Sequence, residues 1–136
     1  MTKTEAEIDR DEWRDEQLQK CFACGRKPGW GVHFDIHEIS RRKFKGAFHR
    51  CNYLLLCSGY GFQGCHNRFD IGGRDRKVIQ LAVKQIIDID NYDLTEWLSR
   101  FDPGSRSPDD EQYITQSEVD DAADAWKAGN HEQNRD

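Results

Sequence analysis

The apolar positions of this chain fall into short, interrupted patterns, and each predicts a short element. Residues 4–20 are mostly charged, with Ile8, Trp13 and Leu18 as a thin apolar stripe. That pattern predicts a polar helix that packs only lightly. Residues 32–39 alternate, with Val32, Phe34 and Ile36 set against His33, Asp35 and His37. A two-residue period predicts a strand with Asp35 and His37 on one face and Ile36 on the other. The run from Ser40 to Arg50 is basic with Phe44 and Phe48 interleaved, and reads as a loop or a short second strand. Tyr53 to Leu56 is a brief apolar run, and C-H-N-R-F from Cys65 reads as the start of a helix.

The second half changes period. Ile79, Ala82, Val83 and Ile86 recur at helical spacing within a helix expected over residues 74–87. Leu94, Trp97, Leu98 and Phe101 repeat that spacing, and Pro103 with Gly104 stops it. Thr115 and Glu118 form a T-x-x-E capping box that opens a last helix carrying Val119, Ala122, Ala123 and Trp126. The aromatic residues of these helices are expected in the core. Residues 129–136 read as a disordered tail.

Composition narrows the class. A chain of 136 residues fits one domain. Mean hydropathy is −0.94, so the core should be small for the length and would gain from a metal staple. No apolar run approaches the ~20 residues of a membrane helix, and the acidic N-terminus lacks the apolar stretch of a secretory signal. The expectation is a cytoplasmic protein with no membrane partner. In a reducing compartment, five cysteines point to metal ligands and a spare thiol rather than disulfides.

The net charge of −5 is unevenly spread. Residues 1–20 carry four basic and seven acidic side chains, residues 21–86 twelve and four, and residues 87–136 four and fourteen. A basic centre between acidic ends suits a nucleic-acid footprint. Arg41, Arg42, Lys43, Lys45 and Arg50, with Arg68, Arg74 and Arg76, are the candidates to grip a phosphate backbone. No base-reading module is visible, so specificity should be low.

Cys21 and Cys24 have the C-x2-C spacing of a metal knuckle. Cys57 and Cys65 are separated by S-G-Y-G-F-Q-G, whose three glycines let the segment loop out and bring both sulfurs to one ion. These four are the expected structural zinc ligands, with Cys51 as an alternative to Cys57.

The order C-x2-C, a His-containing strand end, Asn52, then Cys57 and C-H at Cys65–His66 resembles the HNH nucleases of the ββα-metal fold. The resemblance covers about residues 21–70. Asn52 follows His37 by fifteen positions and Cys57 follows Asn52 by five, in a segment similar to the family's N-L-x-x-L-C, and I-H-E-I looks like a variant of small phage-type members. It implies an α+β fold: a small ββα-metal core at residues 21–72 with a four-cysteine zinc, after a polar helix at 1–20 and before a helical extension at 73–128. It also implies a DNA endonuclease using a divalent ion, Mg2+, Mn2+ or another transition metal. The family's doublet falls on His37-Glu38. By position His37 takes the ligand slot and Glu38 the base slot. By chemistry an imidazole is the better base near neutral pH, which favours His37 as base and makes Asp35 a possible ligand. Asn52 matches the Asn that orients the hairpin or the base, and His66 matches the last metal ligand. His33 and His49 match nothing fixed. A phage packaging or processing protein is a candidate partner. The competing classes are a zinc-stapled nucleic-acid-binding module without catalysis, and a zinc-supported interaction protein docking through its acidic C-terminal helices.

Overall fold

In the computed structural model the described residues are 4–27, 29, 31–40, 49–59, 64–65, 74–101 and 114–133. They form an α+β arrangement of four helices around one antiparallel hairpin. Helix α1 spans Glu5–Glu16, strand β1 Val32–Glu38, strand β2 Tyr53–Gly59, helix α2 Arg74–Ile87, helix α3 Leu94–Phe101 and helix α4 Gln116–Gln133. Single 3-10 turns precede β2 at Arg50–Asn52 and follow α2 at Ile89–Asn91. The basic run 41–48 and the segment 66–73 lie outside the described residues. So do the predicted Pro103–Gly104 stop and the helix expected beyond Cys65.

The hairpin register pairs Phe34 with Cys57, Ile36 with Leu55 and His37 with Leu54. Opposed residues share a face, so His37 and Asp35 lie with Leu54 and Leu56. Both leucines are fully buried, and so are Tyr53 and Leu55 on the opposite face. The hairpin therefore has no solvent side over Tyr53–Leu56. A run of four apolar residues follows from that, where a half-exposed strand would alternate.

Helix α1 packs more firmly than its thin stripe predicts. Thr4 caps it, with its Oγ1 accepting from the Glu7 backbone 3.2 Å away. Trp13 is completely buried and stacks edge-on against Phe22 and tilted against Tyr53. One large aromatic supplies the anchorage that a broad stripe would otherwise give.

Helix α2 has the predicted bounds but a wider buried face than its stripe implied. Val78, Leu81, Ala82 and Val83 are in the core, while Ile79 and Ile86 sit at its margin. Gln80 and Lys84 are also buried. The helix faces the hairpin, α4 and the turn after it together, so one stripe could not cover all its contacts. Lys84 Nζ donates to Asp88 Oδ2 at 2.7 Å and to the Tyr53 carbonyl at 2.8 Å, and Trp13 Nε1 donates to the same Asp88 oxygen at 2.8 Å. Lys84 Nζ also lies 4.7 Å from the Trp13 ring centroid. Burial pushes the Lys84 ammonium down to about 8 against the opposing pull of Asp88. Burial alone would raise Asp88, but Lys84 and the hydrogen bonds from Trp13 and Asn91 outweigh it, and its carboxyl is held below its ordinary value.

The Thr115–Glu118 capping box forms as predicted, with Thr115 Oγ1 accepting from the Glu118 backbone at 3.2 Å. Val119 and Ala123 of α4 are buried, with Trp126 half-buried behind them. Helix α4 continues to Gln133, through part of the stretch read as a tail.

Candidate metal centre and hairpin end

The knuckle is built by backbone bonds. Gly25 N donates to the Cys21 carbonyl at 2.9 Å and Cys21 N to the Arg26 carbonyl at 2.9 Å. Gly25 takes φ of 75°, a left-handed value that glycine adopts without strain. This tight turn aims both knuckle sulfurs the same way. Phe22 N then donates to the Leu55 carbonyl at 2.8 Å, tying the knuckle to β2.

Cys57 lies inside β2, and Cys65 returns to it, its backbone N donating to Cys57 Sγ at 3.4 Å. Gly64 makes that return possible, because a Cβ there would collide with the Cys57 backbone. The ligand atoms of Cys21, Cys24, Cys57 and Cys65 all lie within 4.8 Å of one another. Cys24 and Cys57 sulfurs are 3.8 Å apart. Four thiolates about 2.3 Å from a tetrahedral ion would be separated by about 3.8 Å, whereas a disulfide would hold its pair near 2.05 Å. All five cysteines are free. Four soft sulfur donors in this geometry are positioned to hold a metal ion and are compatible with a structural zinc.

The electrostatics agree. Hydrogen bonds with Cys21 and Cys65 pull the Cys24 thiol down, the bond to Cys24 pushes Cys21 up, and bonds to Cys21 and then Cys24 push Cys65 up. Thiolates this close repel, so one is stabilised at its neighbours' expense. A divalent cation among them removes that conflict. Cys57 completes the set, not Cys51. Cys51 is buried outside the cluster, and its backbone N donates to His49 Nδ1 at 3.1 Å.

At the other end of the hairpin, Asn52 acts as a clamp. It is wholly buried. Its Oδ1 accepts from Ser40 N at 2.8 Å and from Trp97 Nε1 at 2.9 Å, and its Nδ2 donates to the Ser40 carbonyl at 3.0 Å. Its own carbonyl accepts from Ile39 N at 2.9 Å. Asn52 thus fixes the chain leaving β1 just beyond His37-Glu38 and joins it to α3.

His37 lies in the interior, 5% exposed, with Nε2 2.8 Å from Gln80 Oε1. Asp35 is 41% exposed and lies 3.8 Å from His33 Nε2. Glu38 stands opposite Tyr53, on the other face from His37. His66, Arg41, Arg42, Lys43, Lys45 and Arg68 fall outside the described residues, one position beyond Cys65 in the case of His66.

Two of the predicted phosphate-gripping cations are engaged within the protein. Arg50 meets Asp9 at 2.8 Å and Glu16 at 2.6 Å, both on α1, and these carboxylates hold its guanidinium more firmly charged. Arg50 and His49 line a cleft of about 410 Å³ together with four carboxylates, Asp9, Asp90, Asp93 and Glu96. Arg74 pairs with Glu118 at 2.6 Å and ties α2 to α4. Both residues thus have intramolecular ion-pair partners. Arg76 lies half-buried on the first turns of α2.

Sequence reasoning missed Gln80 and Trp97 as partners of His37 and Asn52. Gln80 had one local signal, as the lone polar residue within Val78–Val83. Among the described residues no helix is long and apolar enough to cross a membrane. The fold and site define an α+β protein with a four-cysteine cluster at its hairpin that could hold a metal ion. No family model, curated protein or solved structure matches the chain.

Proposed function

We propose that the chain is a metal-dependent HNH-type endonuclease that hydrolyses DNA phosphodiester bonds with low intrinsic sequence specificity. One observation carries the reading. The sulfur cluster holds Cys65, the residue before His66, against β2, while β1, paired with β2, carries Asp35 and His37. In this reading His66 and a strand residue, Asp35 or His37, hold a divalent ion. That ion supplies charge neutralisation at the scissile phosphate and the leaving oxygen. His37, or Glu38 in the doublet's second slot, takes the proton from the attacking water. Asn52 keeps the strand end in place. Basic residues of the 41–45 run and Arg68 contact the DNA backbone, so binding weakens steeply with salt.

Plasmid nicking in Mg2+ or Mn2+ tests this. Wild type should nick, and His66→Ala and His37→Ala should each lose activity. A wild type that does not nick with any of these ions would overturn it.

The burial of His37 favours a second reading, a zinc-stapled nucleic-acid-binding module without catalysis. Salt-dependent DNA binding without cutting would select it.

A further inference from the structure

The four sulfurs of the cluster are not equally sheltered. Cys21, Cys57 and Cys65 are 1%, 1% and 6% exposed, whereas Cys24 is only half-buried. An oxidant arriving from solvent therefore meets Cys24 first. Cys24 Sγ stands 3.8 Å from Cys57 Sγ, across 33 positions of sequence. A disulfide holds its sulfurs about 2.05 Å apart, so the two need to approach by only about 1.8 Å. The backbone keeps them facing each other without help from an ion. Gly25 N and Cys21 N brace the knuckle on the Cys21 and Arg26 carbonyls, and Phe22 N ties it to Leu55 in the strand that carries Cys57. An accessible thiol with a second thiol close by is the arrangement that carries a first oxidation on to a disulfide.

We propose that Cys24 is an oxidation site for hydrogen peroxide with Cys57 as its resolving partner, so that a covalent bond takes the ion's place in fastening the knuckle to β2. The Cys24 sulfur attacks one peroxide oxygen and becomes a sulfenic acid, and the other oxygen leaves as hydroxide and is protonated to water. The Cys57 sulfur then attacks the Cys24 sulfur. The disulfide forms, and the sulfenic hydroxyl leaves with a proton as a second water. The two sulfurs together give up two electrons and the peroxide takes them. An ion bound in the cluster loses two of its four donors and departs, while Cys21 and Cys65 take protons from solvent. A Cys24–Cys57 bond closes a far longer loop than Cys21–Cys24 would, and so restrains the unfolded chain more. The inference does not depend on the nuclease reading.

The test treats the zinc-loaded full chain with hydrogen peroxide. Zinc release is followed with a colorimetric chelator, and the thiols are then alkylated and mapped by mass spectrometry without reduction. One zinc should be released for each peroxide consumed, with Cys24 joined to Cys57, and dithiothreitol with added zinc should restore the starting state. A sulfenic-acid trap such as dimedone should label Cys24 before any other cysteine. In Cys57→Ser that label should accumulate at Cys24. The oxidised wild type should melt several degrees above the reduced, chelator-stripped protein. A Cys21–Cys24 disulfide, a bridge to Cys51 or to another chain, first labelling elsewhere, or melting no higher than the stripped protein overturns the proposal. If the chain carries no zinc as purified, or Cys57→Ser does not fold, the wild-type disulfide map and melting comparison decide.

Discussion

The two ends of the hairpin are fastened by different chemistry. At the Phe34–Cys57 end four sulfurs converge, positioned to hold a metal ion. At the Glu38–Tyr53 end a neutral amide, Asn52, satisfies three polar partners with no ion at all. With an ion bound, the first end would be conditional on metal and redox state. The second is built into the chain and is reinforced nearby by the buried Lys84–Asp88–Trp13 group. A protein fastened this way can lose one end without losing the other.

The largest effect should come from the sulfur end. One zinc per chain should be found by elemental analysis, and Cys24→Ser or a strong chelator should remove it. Structural zinc in small domains contributes on the order of 10 kcal/mol, so the melting temperature should fall by more than for any substitution below. Retention of the wild-type melting temperature after complete metal removal would show that the sulfurs are not a fastening.

Next comes Lys84→Ala, which leaves Asp88 without its cation in the interior. Breaking a buried pair in this way costs about 3–5 kcal/mol, readable as a shift of the urea midpoint with zinc content unchanged. Asn52→Ala should cost a similar amount, about 1–3 kcal/mol for each of the two donors left unsatisfied at Ser40 and Trp97. Zinc stoichiometry should stay at one, and its loss would mean that the two ends are coupled.

The smallest effect is on pH dependence. Asp88 and Glu118 are both held below their ordinary values in the fold, Asp88 by Lys84 against the cost of burial and Glu118 by Arg74. Their stabilisation is present above the unfolded carboxylate range and is lost as pH falls through the folded values. Urea midpoints compared at matched zinc content should fall on acidification, and less so in Glu118→Gln than in wild type.

What was legible in the chain was local. The bounds of α2 and α3, the alternation of β1, the Thr115–Glu118 cap and the four-cysteine set each rest on residues near one another or on a spacing with one chemical meaning. What was not legible were choices between distant partners. Trp97 and Asn52 are 45 positions apart, and Trp13 and Asp88 are 75. Nothing in the periodicity of α2 says that Gln80 turns to a histidine, or that Lys84 turns inward to a carboxylate. Arg50 belonged by composition to a basic stretch, yet the acidic face of α1 claims it. Charge along the sequence does not say which charges are already spoken for.

The bond from Phe22 N to the Leu55 carbonyl reaches further than the knuckle. A two-stranded sheet has open flanks, and β2 carries Leu54, Leu55 and Leu56 in succession, a segment suited to recruiting strands from other molecules. The knuckle sits on that flank as a guard, and an ion in the sulfur cluster would hold it there. Metal starvation would then reach past the fold of a single molecule, uncovering an adhesive strand and drawing chains into aggregates.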